Sequence, residues 1–180
     1  DKTTLLSIKY NNELINSNLI GDFQFSNILL AICIGNYFNI PNKKIKISIE
    51  NYIPSNNRSQ IVETKKNTLI LDAYNANPSS MKAMLNSFSN QKYKNKLCIL
   101  GDMLELGKES IKEHQDIIKL TIKLKLDCLF VGEIFNSLTE NGFKNRNVLA
   151  AEIQKKNINK RTILLKGSRG IGLEKLIETL

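Results

Sequence analysis

Four short apolar runs constrain this chain more than anything else in it: Thr68-Leu69-Ile70-Leu71, Leu97-Cys98-Ile99-Leu100, Cys128-Leu129-Phe130-Val131 and Thr162-Ile163-Leu164-Leu165. Each has the length of a strand and lacks the polar alternation of a half-exposed one, so each reads as a strand covered on both faces. Helical periodicity fills the intervals. Met81, Met84, Leu85 and Phe88 mark a helix over 79–89, and further helices are predicted over 108–125, near 134–140 and over 172–180. Strands alternating with helices imply a mainly parallel sheet with right-handed crossovers, a Rossmann-like α/β domain. Ser59–Glu63 adds an edge strand that turns back through Lys65-Lys66-Asn67, Asn147–Ala150 reads as a brief strand, and Ala151–Lys160 as a poorly patterned helix.

The first third of the chain is built differently. Polar and apolar residues alternate over 3–20 around Asn11-Asn12, the pattern of a β-hairpin. Phe25–Phe38 reads as a largely buried helix carrying Ile28, Leu29, Ile32 and Phe38, with Ser26 as a possible cap, and an amphipathic piece follows at Ile45–Tyr52. The turn-rich, apolar-poor Pro54-Ser55-Asn56-Asn57 separates this hairpin-plus-helices region, 1–55, from the α/β region, 56–180. A chain of 180 residues accommodates one full core and part of a second. The start Asp1-Lys2-Thr3-Thr4 has no initiator Met and no signal-peptide layout, and reads as a cut within a longer chain.

Composition removes several classes of function. No apolar run approaches the ~20 residues of a membrane span. A net charge of +9 invites nucleic acid as a partner, but all but four of the 26 basic residues are lysine, without the arginine and aromatic interleaving that base readout and stacking require. Neither a nucleic-acid nor a membrane partner is expected. Cys33, Cys98 and Cys128 lie far apart in apolar contexts without metal-ligand spacing, and read as reduced core residues.

Three polar motifs follow predicted strands, and so converge on the carboxyl edge of the sheet, where α/β folds bind ligands. The first is Asp72-Ala73-Tyr74-Asn75-Ala76-Asn77-Pro78-Ser79, a carboxylate and two carboxamides running into a helix start. Asn, Pro and Ser are also ordinary turn formers, and Ser79 is a candidate helix cap. The second, Gly101-Asp102-Met103-Leu104-Glu105-Leu106-Gly107, offers Asp102 and Glu105 to an ammonium group or a hydrated Mg²⁺, or simply to a helix dipole. The third, Lys166-Gly167-Ser168-Arg169-Gly170, sets Lys166, Ser168 and Arg169 where a carboxylate or phosphate would bind. His114, the sole histidine, falls within a helix, where packing or support of other site residues is expected rather than catalysis.

Taken in order, these motifs resemble the C-terminal part of the Mur ligases, and among them the ligases that join D-alanyl-D-alanine to UDP-N-acetylmuramoyl-tripeptide. The resemblance covers essentially the whole chain. It implies that 1–55 is the end of a central ATPase domain and 56–180 the complete C-terminal domain. It also implies a cytoplasmic, monomeric enzyme of peptidoglycan synthesis using ATP and Mg²⁺. Asn27, Arg58 and Asp72 match nucleotide contacts of the family, while Asn75 and Asn77 match residues that position the incoming dipeptide. Phe23 and Gln24 depart from the family's His-Asn pair. No Gly-x-x-x-x-Gly-Lys-Ser/Thr loop occurs in the chain, so the chain alone is expected to be inactive, with no catalytic residue of its own. Another Mur-type or folylpolyglutamate-type ligase, or a stand-alone nucleotide- or peptide-binding module, are the alternatives.

Overall fold

A computed structural model describes residues 5–180. They form two compact units, one ending at Ser55 and one running Asn56–Leu180. The readings made on residues 1–4 lie outside the described residues.

In the first unit β1 (Leu5–Tyr10) and β2 (Glu13–Ile20) form an antiparallel hairpin with a register shift between Leu5 and Ser7. Its turn residues Asn11 and Asn12 take φ of 46° and 62°. Asparagine tolerates this left-handed region, whose twist suits a two-residue hairpin turn. Helices α1 (Phe25–Tyr37) and α2 (Asn42–Asn51) follow, and Ile8, Ile15, Ile28, Ile32 and Ile45 form the core. Asn18 Nδ2 donates to the carbonyls of Glu50 at 2.7 Å and Tyr52 at 3.2 Å, tying β2 to the end of α2. The sequence predicts α1 to be largely buried; in the structure Ile28 and Ile32 are, whereas Leu29, Leu30, Ile34 and Phe38 are exposed. One hairpin and one short helix cannot cover the whole circumference of an apolar helix. Cys33 on the same helix is exposed too, not a core residue. Ser26 lies inside the helix, whose N-cap is Gln24.

The second unit is a six-stranded sheet of order β3-β4-β8-β5-β6-β7. Its strands are β3 (Gln60–Glu63), β4 (Thr68–Asp72), β5 (Lys96–Gly101), β6 (Cys128–Val131), β7 (Gly142–Phe143) and β8 (Thr162–Lys166). Only β3 is antiparallel, paired with β4 through the predicted hairpin. Helices α3 (Pro78–Asn90), α4 (Ser110–Lys123), α5 (Glu133–Leu138) and α6 (Arg146–Lys156) connect the strands. Strand residues of one parity, among them Leu69, Leu97, Ile99, Ile163 and Leu165, pack with Leu149 and Ile153 of α6 and with Leu173, Leu176 and Leu180. On the opposite face Phe130 meets Phe135 of α5, which in turn meets His114 of α4. This two-sided burial is why the strands read as unbroken apolar runs.

Two sequence expectations are corrected here. Asn147–Ala150 is not a strand: Asn145 Oδ1 accepts from the N–H groups of Asn147 and Val148 and starts α6, which runs to Lys156. The brief strand is instead Gly142–Phe143. Residues 172–180 are not an α-helix but 3-10 turns, since Gly172 takes φ 70° and interrupts the chain direction. Leu173, Leu176 and Leu180 are buried all the same, because the apolar spacing fits the tighter turns as well.

Cys98 and Cys128 are register partners on β5 and β6. The hydrogen bond that the Cys98 thiol donates to Cys128, together with burial, pushes it well above its ordinary range.

Candidate functional site

Asp72 ends β4, Lys166 ends β8, and the two are register partners. Their side chains therefore leave the sheet on one face. The Lys166 ammonium donates to Asp72 Oδ2 at 2.6 Å and to the Asn75 carbonyl at 3.5 Å, while the Ser59 N–H donates to Asp72 Oδ1 at 3.3 Å. Lys166 is only 1% exposed. A buried cation requires an anionic partner, and the register supplies one. The expectation that Lys166 offers a free charge to a ligand is thus corrected: it holds the Asp72 carboxylate and the following loop in place.

The exposed cations are arginines. The Arg58 guanidinium stacks 3.8 Å from the centroid of Tyr74, and that of Arg169 lies 5.6 Å from the same ring. A ring face attracts cations without consuming their N–H donors. Both forks consequently stay available at the carboxyl edge of the sheet, beside a charge-compensated Asp72–Lys166 pair, and the two arginines leave the local surplus positive. This arrangement suits phosphate or carboxylate groups. Tyr74 lies inside the Asp72–Ser79 loop with no spacing pattern of its own, and nothing in the sequence signals that two arginines meet it.

Asn75 and Asn77 are both exposed but differ in role. Asn77 is the N-cap of α3: its Oδ1 accepts from Ser80 N at 2.8 Å, and the Ser80 hydroxyl accepts from Asn77 N, closing a capping box ahead of Pro78. The cap is therefore Asn77 and not Ser79, which sits exposed in the first turn. Asn75 Oδ1 accepts from the adjacent Ala76 N–H at 2.8 Å.

The loop after β5 departs most from expectation. Asp102 is 2% exposed, and its two carboxylate oxygens accept from the Ile134 and Phe135 N–H groups at 2.9 Å each. It caps α5 and does not face a ligand. Gly132 makes this possible: with φ 128°, an added Cβ would stand 2.2 Å from the Asp102 carboxylate. His114, fully buried, bonds the Ser110 carbonyl through Nδ1 at 2.7 Å and accepts from Met103 N through Nε2 at 3.0 Å. That network sets Nδ1 as donor and Nε2 as acceptor. It holds the loop, as its helical position implies. Ser168, also buried, accepts from Leu104 N at 3.0 Å and ties this loop to the one after β8. Of this motif's carboxylates only Glu105 is exposed. Asp102, offered by the sequence to a hydrated Mg²⁺, is thus engaged by backbone N–H groups instead.

The structure thus brings Arg58 and Arg169 to the Tyr74 ring and ties Lys166 to Asp72 and the Asn75 carbonyl, while Asp102 and Ser168 hold neighbouring loops. Asn27 belongs to the first unit, exposed near the start of α1, where its Nδ2 donates to Gln24 Oε1 at 2.6 Å.

A Rossmann-like domain with two arginines gathered on a tyrosine at the carboxyl edge of its strands is the class that these features define. Residues 57–169 match the family model described as "Mur ligase, glutamate ligase domain", and the chain belongs to that family. It is 34% identical over 172 residues to a UDP-N-acetylmuramoyl-tripeptide–D-alanyl-D-alanine ligase of Buchnera aphidicola (subspecies Baizongia pistaciae), covering 90% of this chain and 37% of that protein. Among solved structures it resembles MurF from Acinetobacter baumannii, with TM-score 0.78 and 24% identity over 92% of this chain and 39% of the other. MurF ligase from Thermotoga maritima in complex with ADP gives TM-score 0.79 and 16% identity, covering 97% and 42%. The chain spans well under half the length of these proteins.

Proposed function

We propose that this chain is the C-terminal part of an ATP-dependent amide-forming ligase that adds D-alanyl-D-alanine to UDP-N-acetylmuramoyl-tripeptide in the cytoplasm. The observation that carries this reading is the Arg58–Tyr74–Arg169 group beside a fixed Asp72 at the carboxyl edge, in a chain whose relatives carry that name. Such ligases phosphorylate a carboxylate with ATP, and an amine then displaces phosphate from the acyl phosphate. The residues of this chain bind and orient. Asp72, held by Lys166, offers carboxylate lone pairs to ribose hydroxyls; Arg58 offers its fork to the nucleotide's phosphates; Arg169 and Asn75 grip the dipeptide's carboxylate and amide. Asn27 would meet the adenine side. A positive, preorganised rim favours the phosphoryl transition state without covalent participation.

Residues 1–55 belong, on this reading, to the central domain, and the exposed apolar side of α1 is where the remainder of that domain would pack. The Mg²⁺ of the reaction would be held by residues outside this chain. The experiment compares the 180-residue chain with the whole ligase in a phosphate-release assay containing ATP, Mg²⁺, UDP-N-acetylmuramoyl-tripeptide and D-alanyl-D-alanine. The whole ligase should release phosphate only when both substrates are present, and the chain alone should release none. Turnover by the chain alone would overturn its assignment as the binding half of the site.

A further inference from the structure

The sheet of the second unit has a second edge, at the amino ends of β4, β5, β6 and β8, away from the crevice. Lysine gathers there. Lys65 and Lys66 form the turn before β4, Lys92 precedes β5, Lys125 precedes β6 and Lys160 precedes β8, and all are exposed. Lys123, Lys155 and Lys156 end α4 and α6 beside them, where cations also complement the helix dipoles. Lys92 and Lys125 likewise follow helix C-caps, Gln91 and Leu124, whereas Lys65 and Lys66, in a turn between two strands, have no such local reason. Backbone contacts make the loops one continuous surface: Lys160 N donates to the Lys66 carbonyl at 2.8 Å, Asn95 Nδ2 to the Lys160 carbonyl at 3.1 Å, and Arg161 to the Lys96 carbonyl at 2.6 Å.

Acidic residues on this edge are few. They are Glu63, Asp127, Glu140 and Glu152, with Glu178 near the last residue; Asp127 is engaged by Arg161 at 2.6 Å and Glu152 by Lys156 at 3.2 Å. At the opposite edge acids and bases mix, with Asp72, Asp102, Glu105, Glu109 and Glu133 among Arg58, Lys108, Arg146, Lys166 and Arg169. The unit has lysines elsewhere too, but Lys82, Lys112, Lys119 and Lys144 each stand against an acid, whereas the turn lysines of this edge lie where acids are scarce.

Against the expectation from composition that no membrane partner exists, we propose that this amino edge is a docking surface for an anionic lipid bilayer, engaged through phosphate headgroups while the carboxyl edge faces away from the membrane. Flexible, exposed lysines attract diffuse surface charge. Base stacking would need exposed aromatic rings, and Tyr93, the aromatic residue of these loops, instead has its ring 5.4 Å from Phe88 and its hydroxyl buried. The proposal is independent of the ligase reading.

The test is co-sedimentation of the chain with vesicles of phosphatidylcholine alone or of equal parts phosphatidylcholine and phosphatidylglycerol, at low and high salt. Two triple variants of equal net charge are compared, Lys66→Gln/Lys125→Gln/Lys160→Gln and, in the first unit, Lys9→Gln/Lys43→Gln/Lys44→Gln, each checked for an unchanged melting temperature. The expected result is salt-sensitive binding to anionic vesicles only, weakened at least about tenfold in the edge variant and less than about twofold in the control. Three outcomes would overturn the proposal. These are indifference to phosphatidylglycerol, equal losses in both variants, or edge-dependent binding of a single-stranded RNA homopolymer that displaces the vesicles.

Discussion

At the scale of single residues, the Asp72–Lys166 pair is the feature on which the crevice depends. Its ammonium is almost fully buried, and among the described residues Asp72 is its anionic partner, at 2.6 Å. Replacing Asp72 with Asn leaves a buried charge without its counter-ion, and urea unfolding should show a loss of about 3 kcal/mol. Adding Lys166→Met to that variant should recover part of the loss, because the uncompensated charge is then gone. If Asp72→Asn alone proved neutral, the pair would not organise the site. Cysteine chemistry gives a second check. A raised pKa keeps the Cys98 thiol protonated at neutral pH, and thiolate is the nucleophile. Brief treatment of the native chain with a maleimide, read by peptide mass spectrometry, should therefore label Cys33 and spare Cys98 and Cys128.

At the scale of elements, capping separates residues that look alike in sequence. Asn77→Ala removes the α3 cap and should cost about 1 kcal/mol of stability, whereas Asn75→Ala should cost clearly less, a difference that thermal unfolding can resolve. Gly132→Ala should be worse than either, at least about 3 kcal/mol, since it forces a methyl group into the Asp102 carboxylate at a left-handed φ. The strands of the parallel sheet and the first hairpin were legible because burial on both faces, or on one, writes itself into apolar spacing. What escaped the sequence was decided by single polar contacts. Asn145 capping α6 turned a supposed strand at Asn147–Ala150 into helix, and Gly172 broke a supposed terminal helix. The same limit applies at the site. Its loops were found by their position after strands, but whether Asp102, Lys166 or Ser168 pointed outward or inward depended on register and on partners distant in the chain. Tyr74, which gathers the arginines, carried no spacing signal.

At the scale of the whole molecule, the second unit presents two different edges: a carboxyl edge where two arginines stand beside a fixed carboxylate, and an amino edge of exposed lysines. The central claim concerns the first of these. If Arg169 and Asn75 grip the dipeptide, their loss should fall on its use and not on folding, because both side chains are exposed and neither caps an element. The most direct measurement is kcat/KM for D-alanyl-D-alanine in the whole ligase carrying Arg169→Ala or Asn75→Ala, with melting temperature recorded on the same samples. Each substitution should lower kcat/KM by the equivalent of about 1–3 kcal/mol and leave the melting temperature near wild type. Unchanged kcat/KM in both variants would contradict the assignment of this edge to the dipeptide.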